Sequence, residues 1–173
     1  MDSKLSLLMK QLDAFYINVD YIKVIKSIIE QDNIISLRIL DWFITNYSKK
    51  FRTIIHKNNG DYLDVYMHYK LMLKSFSKSD FDPFCRKNKI NFYYTEDDKF
   101  IETSCGQLCF FKWCFENDIL DFVRLNLNTI EDDMKKSLKI KKDDTNGKKR
   151  QALSLPASRS ITKQHIKYTV KFD

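Results

Sequence analysis

Apolar residues recur at helical spacing through much of this chain. From Asp20, the segment DYIKVIKSIIEQ places Ile22, Ile25, Ile28 and Ile29 on one stripe with Lys23, Lys26 and Glu30 opposite, which predicts a helix over 20–31. In SLRILDWFITNYSKK (36–50), Ile39, Phe43, Ile44 and Tyr47 keep the same spacing. Asn33 or Ser36 can cap that helix, and Lys49 and Lys50 suit its negative C-terminal end. After the polar break His56–Asp61, DYLDVYMHYKLMLKSF sets Val65, Tyr69, Met72, Leu73 and Phe76 on a third face, with Asp61 as the expected N-cap.

The period then changes. SKSDFDPFCRK (77–87) ends the third helix, because Pro83 forces Asp82 out of the helical region. INFYY (90–94) and KFIET (99–103) are β-rich runs around four polar residues, which predicts a hairpin. Ser104 with Gln107 reads as a capping box for a fourth helix facing Leu108, Phe111, Cys114 and Phe115 inward. Asp118 is the expected cap of a fifth stripe of Ile119, Phe122, Val123 and Leu127. Beyond Met134 the apolar pattern fades, and KIKKDDTNGKKR (139–150) reads as a solvated linker. In IKYTVKF, Ile166, Tyr168, Val170 and Phe172 alternate with Lys167, Thr169 and Lys171, a strand with one apolar and one basic face. A lone strand cannot satisfy its backbone groups, so this one is expected to join a sheet edge in the same body, a second copy or a partner.

The expected fold is therefore α+β. A mostly helical single domain occupies 1–138, with an antiparallel hairpin near 90–103; a basic flexible linker covers 139–160 and a C-terminal amphipathic strand covers 161–173. A chain of 173 residues with 43% hydrophobic content and 24 aromatics (13 Phe, 9 Tyr, 2 Trp) can bury a core, which excludes a wholly disordered protein. Charges at Asp2, Lys4, Lys10 and Asp13 interrupt any apolar stretch near Met1, so no secretion signal is expected. No run approaches the ~18 apolar residues of a spanning helix, so no membrane association is expected either.

The net charge of +7 is unevenly placed. Residues 1–134 hold 18 Lys+Arg against 20 Asp+Glu, whereas 135–173 hold 12 against 3. An anionic partner is expected to meet the C-terminal arm first. Its candidate phosphate contacts are Lys141, Lys142, Lys148, Lys149, Arg150, Arg159, Lys163, Lys167 and Lys171, flexible cations that neutralise phosphates without reading bases. Lys148-Lys149-Arg150 also has the form of a nuclear import signal. The candidate partner-docking residues are Ile166, Tyr168, Val170 and Phe172.

Enzyme chemistry has less support. Gly60, Gly106 and Gly147 lie too far apart for a dinucleotide fingerprint or a phosphate loop, and neither HExxH nor GxSxG occurs. Cys85, Cys105, Cys109 and Cys114 superficially offer four thiolates to zinc, but within LCFFKWCF cysteine behaves as a small core residue, so free thiols are expected. His68 and Asp64 sit four residues apart and can hydrogen-bond on a helix. Asp80, Asp82, Glu96, Asp97, Asp98 and Glu102 form an acidic patch that could hold Mg²⁺, although loop carboxylates are usually solvated. Phe92, Tyr93 and Tyr94, downstream of Arg86, Lys87 and Lys89, are candidates for base stacking or for the buried side of a sheet. No cofactor and no metal is expected.

The strings SLRILDWFITNYSKK (36–50), FDPFCRKNKI (81–90), ETSCGQLCFFKWCFENDILDF (102–122) and RQALSLPASRSITKQHIKYTVKFD (150–173) resemble an uncharacterised family of nucleocytoplasmic large DNA viruses, most like the mimivirus-type giant viruses. The resemblance implies a role in the viral factory of the host cytoplasm or in the virion, and supplies no functional residues. With the basic arm, it leads to the expectation of a non-enzymatic viral accessory protein that associates with nucleic acid, DNA or RNA, irrespective of sequence. The alternative is a virion structural or assembly protein that docks by strand addition to a viral partner or a second copy. A metal-dependent phosphoryl-transfer enzyme is a distant third.

Overall fold

The computed structural model describes residues 3–57, 60–76, 80–86, 88–94 and 99–146. The chain divides into two units, Met1–Lys136 and Ser137–Asp173. The first is a mostly helical α+β body with two short antiparallel hairpins.

Helix α6 (Cys105–Glu116) is its centre: Gly106, Gln107, Leu108, Cys109, Phe110, Phe111, Trp113 and Cys114 are all buried. A helix covered on nearly every side has no polar stripe to present, which is why LCFFKWCF is so apolar. The other elements bring single faces to the same core. Helix α1 (Ser3–Phe15) contributes Leu12, with Tyr16 just beyond its end, and α2 (Val19–Ile29) contributes Ile22, Ile25 and Ile28. The Tyr16 hydroxyl donates to the Leu108 carbonyl at 2.7 Å. The sequence reading had no helix where α1 lies, although Leu8, Leu12 and Tyr16 recur at a spacing of four.

The 36–50 segment starts as expected, with Ser36 accepting from the Ile39 N–H at 3.2 Å, while Asn33 instead accepts from the Ile35 N–H in the preceding loop. One continuous helical stretch follows, α3 (Leu37–Trp42), a π-helical turn (Phe43–Tyr47) and α4 (Ser48–Phe51). Within it the Ser48 N–H reaches back five residues to the Phe43 carbonyl. Strands β1 (Ile54–His56) and β2 (Tyr62–Asp64) then pair with Ile55 opposite Leu63, both buried. This hairpin corrects the third helix's start. Because Leu63 packs inward with Ile55, Tyr62–Asp64 are extended, and the cap of α5 (Val65–Ser75) is Asp64, accepting from the Met67 N–H at 2.9 Å, instead of Asp61.

The second hairpin matches its expectation. Strands β3 (Lys89–Tyr93) and β4 (Phe100–Ser104) pair with Phe92 opposite Ile101, and Phe92, Ile101 and Thr103 point inward. Ser104 caps α6 by accepting from the Gln107 N–H at 3.1 Å. The return half of the capping box is replaced: Gln107 accepts from Thr103 Oγ1 at 2.8 Å and donates through Nε2 to the Pro83 carbonyl at 2.6 Å. Asp118 occupies the N-cap of α7 (Ile119–Leu125) but in left-handed backbone, φ 55°, with no side-chain cap bond. The short link from α6 forces that turn, and Asn117 satisfies the Trp113 carbonyl at 2.7 Å.

Helix α8 (Leu127–Asn146) buries Ile130 and crosses from the first unit into the second. Residues 139–146, expected as the start of a flexible linker, are helical instead. No Gly or Pro occurs between Leu127 and Asn146, and lysine and leucine are good helix formers, so a helix already nucleated in the core runs on to Asn146. The remainder of the expected linker and the whole C-terminal strand lie outside the described residues.

Candidate nucleic-acid interface

Of the candidate phosphate contacts, Lys141 and Lys142 fall on the backbone of α8. Lys148, Lys149, Arg150, Arg159, Lys163, Lys167 and Lys171, and the docking residues Ile166, Tyr168, Val170 and Phe172, lie outside the described residues. Helix α8 changes character along its length: Glu131, Asp132 and Asp133 are followed by Lys135, Lys136, Lys139, Lys141 and Lys142 with no acid among them. Lys135, Lys136 and Lys139 are exposed. Lys135 pairs with Glu131 one turn back at 2.9 Å, an exposed pair that costs little to exchange for a phosphate.

Where α8 passes the π-turn, the first unit has an open cleft of about 360 Å³ lined by Tyr47, Lys50, Phe51, Asn128, Thr129, Asp132, Asp133 and Lys136. Its floor is polar and satisfied. Asp133, 8% exposed, accepts from Trp42 Nε1 at 3.1 Å and from the Lys50 ammonium. Phe51, 52% exposed, stacks on Tyr47 with centroids 4.5 Å apart, and Lys50 Nζ lies 4.8 Å from the Phe51 ring centre. An exposed ring beside two ammonium groups suits a flat, anion-bearing ligand. Asp132 opposes such a ligand, and Asp133 is already neutralised by Lys50. Sequence reading assigned Tyr47 to a core stripe and Lys50 to a helix end, and missed this grouping. The wider π-turn, which rotates the residues after Phe43 relative to an α-helix, leaves no mark that spacing rules detect.

The other candidates divide. Phe92 is buried, Tyr94 half-buried, and Tyr93 exposed against Phe100 at 5.5 Å, so only Tyr93 of that trio is open to stacking. His68 and Asp64 do not pair. Asp64 is occupied as a cap, while His68 Nδ1 accepts from Trp113 Nε1 at 2.8 Å. Burial, with Lys57 nearby, lowers the His68 pKa below its ordinary value.

In the acidic patch, Asp82 is nearly buried and accepts from the Arg86 N–H at 3.2 Å, and Glu102 pairs with Lys89 at 2.5 Å. Glu96, Asp97 and Asp98 lie outside the described residues. No group of three or more His, Cys, Asp or Glu placed to hold a metal occurs among the described residues. The cysteines are free thiols, Cys109 and Cys114 buried and Cys85 and Cys105 half-buried. Among the described residues no helix is long and apolar enough to cross a membrane.

The fold and this surface define a mostly helical α+β protein whose last described helix, α8, turns lysine-rich after Met134. The chain belongs to a family of unknown function, DUF7197, whose model matches residues 2–169. It is similar to the uncharacterized protein L507 of Acanthamoeba polyphaga mimivirus, 39% identical over 160 residues, or 87% of this chain and 61% of that protein. The chain thus spans less than two thirds of that relative's length. No solved structure matches it. The giant-virus setting implied by the four strings is the one this relative occupies.

Proposed function

We propose that this protein is a non-enzymatic accessory protein of a giant virus that associates with nucleic acid irrespective of sequence, in the viral factory or in the virion. The charge distribution carries the reading: 12 basic residues against 3 acidic over 135–173, beside 18 against 20 in the rest of the chain. Helix α8 supports it, since the basic run opens on exposed lysines of an ordered element where the core's last contacts end. In the cleft, Tyr47, Lys50 and Phe51 of the π-turn and α4 lie beside Lys136 of α8, on the stretch that leads into that run.

The test is a salt titration of full-length protein binding to fluorescent duplex and single-stranded DNA and RNA, repeated with Lys141, Lys142, Lys148, Lys149 and Arg150 changed to serine. Binding that weakens steeply with salt, and weakens again in the variant, is expected. Absent or salt-insensitive binding overturns it. The alternation in IKYTVKF favours a second reading, assembly by strand addition. Light scattering on the same samples separates the two, because that reading requires self-association or a stable viral partner even at high salt.

A further inference from the structure

A row of rings leads out of the core beside α8. Phe122 and Phe43 lie with centroids 5.3 Å apart, Phe43 and Tyr47 5.9 Å, and Tyr47 and Phe51 4.5 Å. Exposure rises along it, from buried Phe43 through half-buried Tyr47 to exposed Phe51. Phe43 and Tyr47 belong to the π-helical turn, a distortion frequent at functional sites, and Phe51 ends α4. Every spacing lies within the range of favourable aromatic pairs, so the core holds the outermost ring in place. A flat ring supplied by a ligand is the partner that continues such a row.

Opposite the row stands α8. Asn128, Asp132 and Lys136, each four residues after the last, line the cleft of about 360 Å³ together with Thr129 and Asp133. Asp133 is occupied by Trp42 Nε1 and by the Lys50 ammonium, which lies beside the Phe51 ring. Two lysines against two aspartates leave the cleft balanced in charge, so it offers nucleic acid an aromatic surface more than a field. The remaining groups suit the edge of a base: Asn128 and Thr129 both donate and accept, and Asp132 accepts from N–H groups.

We propose that this cleft stacks one unpaired base of single-stranded nucleic acid on Phe51, a preference that rests on the nucleic-acid association proposed above. Every base has a π-face and at least one N–H on its pairing edge, so the contact tolerates any sequence. Within a duplex both faces of a base are already stacked and its edge is paired, which leaves nothing for the ring. The phosphates flanking the stacked base are neutralised by Lys136, which is exposed, while the Asp132 carboxylate on the same helix repels phosphate and accepts from the base.

Full-length protein is titrated with oligothymidylate and with a duplex of equal length over a range of salt. Phe51→Leu keeps an apolar residue at the end of an exposed turn. It is expected to bind the single strand about fivefold or more weakly, with duplex affinity and the slope of log affinity against log salt unchanged. On the unaltered chain, oligothymidylate carrying one iodouracil is irradiated and the crosslink mapped by peptide mass spectrometry, which needs no variant to fold. Phe51 is the expected attachment. Single-strand affinity unmoved by Phe51→Leu, an equal loss on duplex, or attachment at the other exposed ring pair, Tyr93 and Phe100, overturns the base site and leaves the nucleic-acid association standing. Competition by free thymidine monophosphate at micromolar concentration overturns it too, since one stacked base is too weak a contact to hold a mononucleotide there. Failure of the unaltered chain to bind either form of DNA overturns both.

Discussion

At position 107 one buried glutamine joins three parts of the body: its backbone N–H meets the Ser104 hydroxyl, its side-chain oxygen the Thr103 hydroxyl, and its Nε2 the Pro83 carbonyl. Gln107→Ala keeps the helix but leaves a buried hydroxyl and a buried carbonyl without partners. A loss of about 1–3 kcal/mol is expected in urea denaturation, with faster amide exchange in β4. His68 gives a pH signature. Its Nδ1 accepts from Trp113, so protonation there removes the bond, and its pKa is lowered below the ordinary 6.5. The unfolded chain then binds the proton more readily than the native one, so this contribution is whole above about 6.5, falls as pH drops below that value, and levels off once the native pKa is passed. The urea midpoint should follow that course, and His68→Gln should lack this component. At this scale the Ser104 cap was legible because capping is local. The Gln107 and His68 partners were not, since Pro83 and Trp113 are distant in sequence.

Apart from α1, the helices that bury one face alone were legible. The stripes of α2, α5 and α7 and the alternation of β3 and β4 are printed in the residue order because each packs on a single side. The β1–β2 hairpin escaped, its strands being three residues long and its loop reading as a polar break. Gly60 closes that loop at φ +88°, where an added Cβ would meet nothing within 4 Å. Gly60→Ala should therefore cost only backbone strain, about 1 kcal/mol, read from the urea midpoint. A much larger loss would mean that the loop packs against something else. The helical course of 139–146 was missed for another reason: an apolar stripe reports burial, and a helix propagates from an already formed turn without one.

For the whole molecule the quantity that matters is where charge lies relative to the core. A body of 18 basic and 20 acidic residues offers no field to a polyanion, and the 12 basic residues of 135–173 do. Each phosphate contact removed by the five-residue serine variant should flatten the slope of log affinity against log salt on duplex DNA by about 0.9. A parallel shift with unchanged slope would show that those five residues touch no phosphate. The cleft by the π-turn belongs to this scale too, since Phe51 and Lys136 are far apart in the chain and meet only because α8 passes that turn.

Residue order by itself determined the mostly helical α+β class, the second hairpin, the Ser104 cap and the separation of charge, all of which rest on short-range spacing or on counting. Tertiary structure alone decided which helix became the centre, which aspartate caps α5, where Gln107 reaches, and which aromatic ring faces solvent beside lysines. Those outcomes depend on which surfaces exclude water together. Packing of that kind is a property of residues distant in sequence, and no local pattern encodes it.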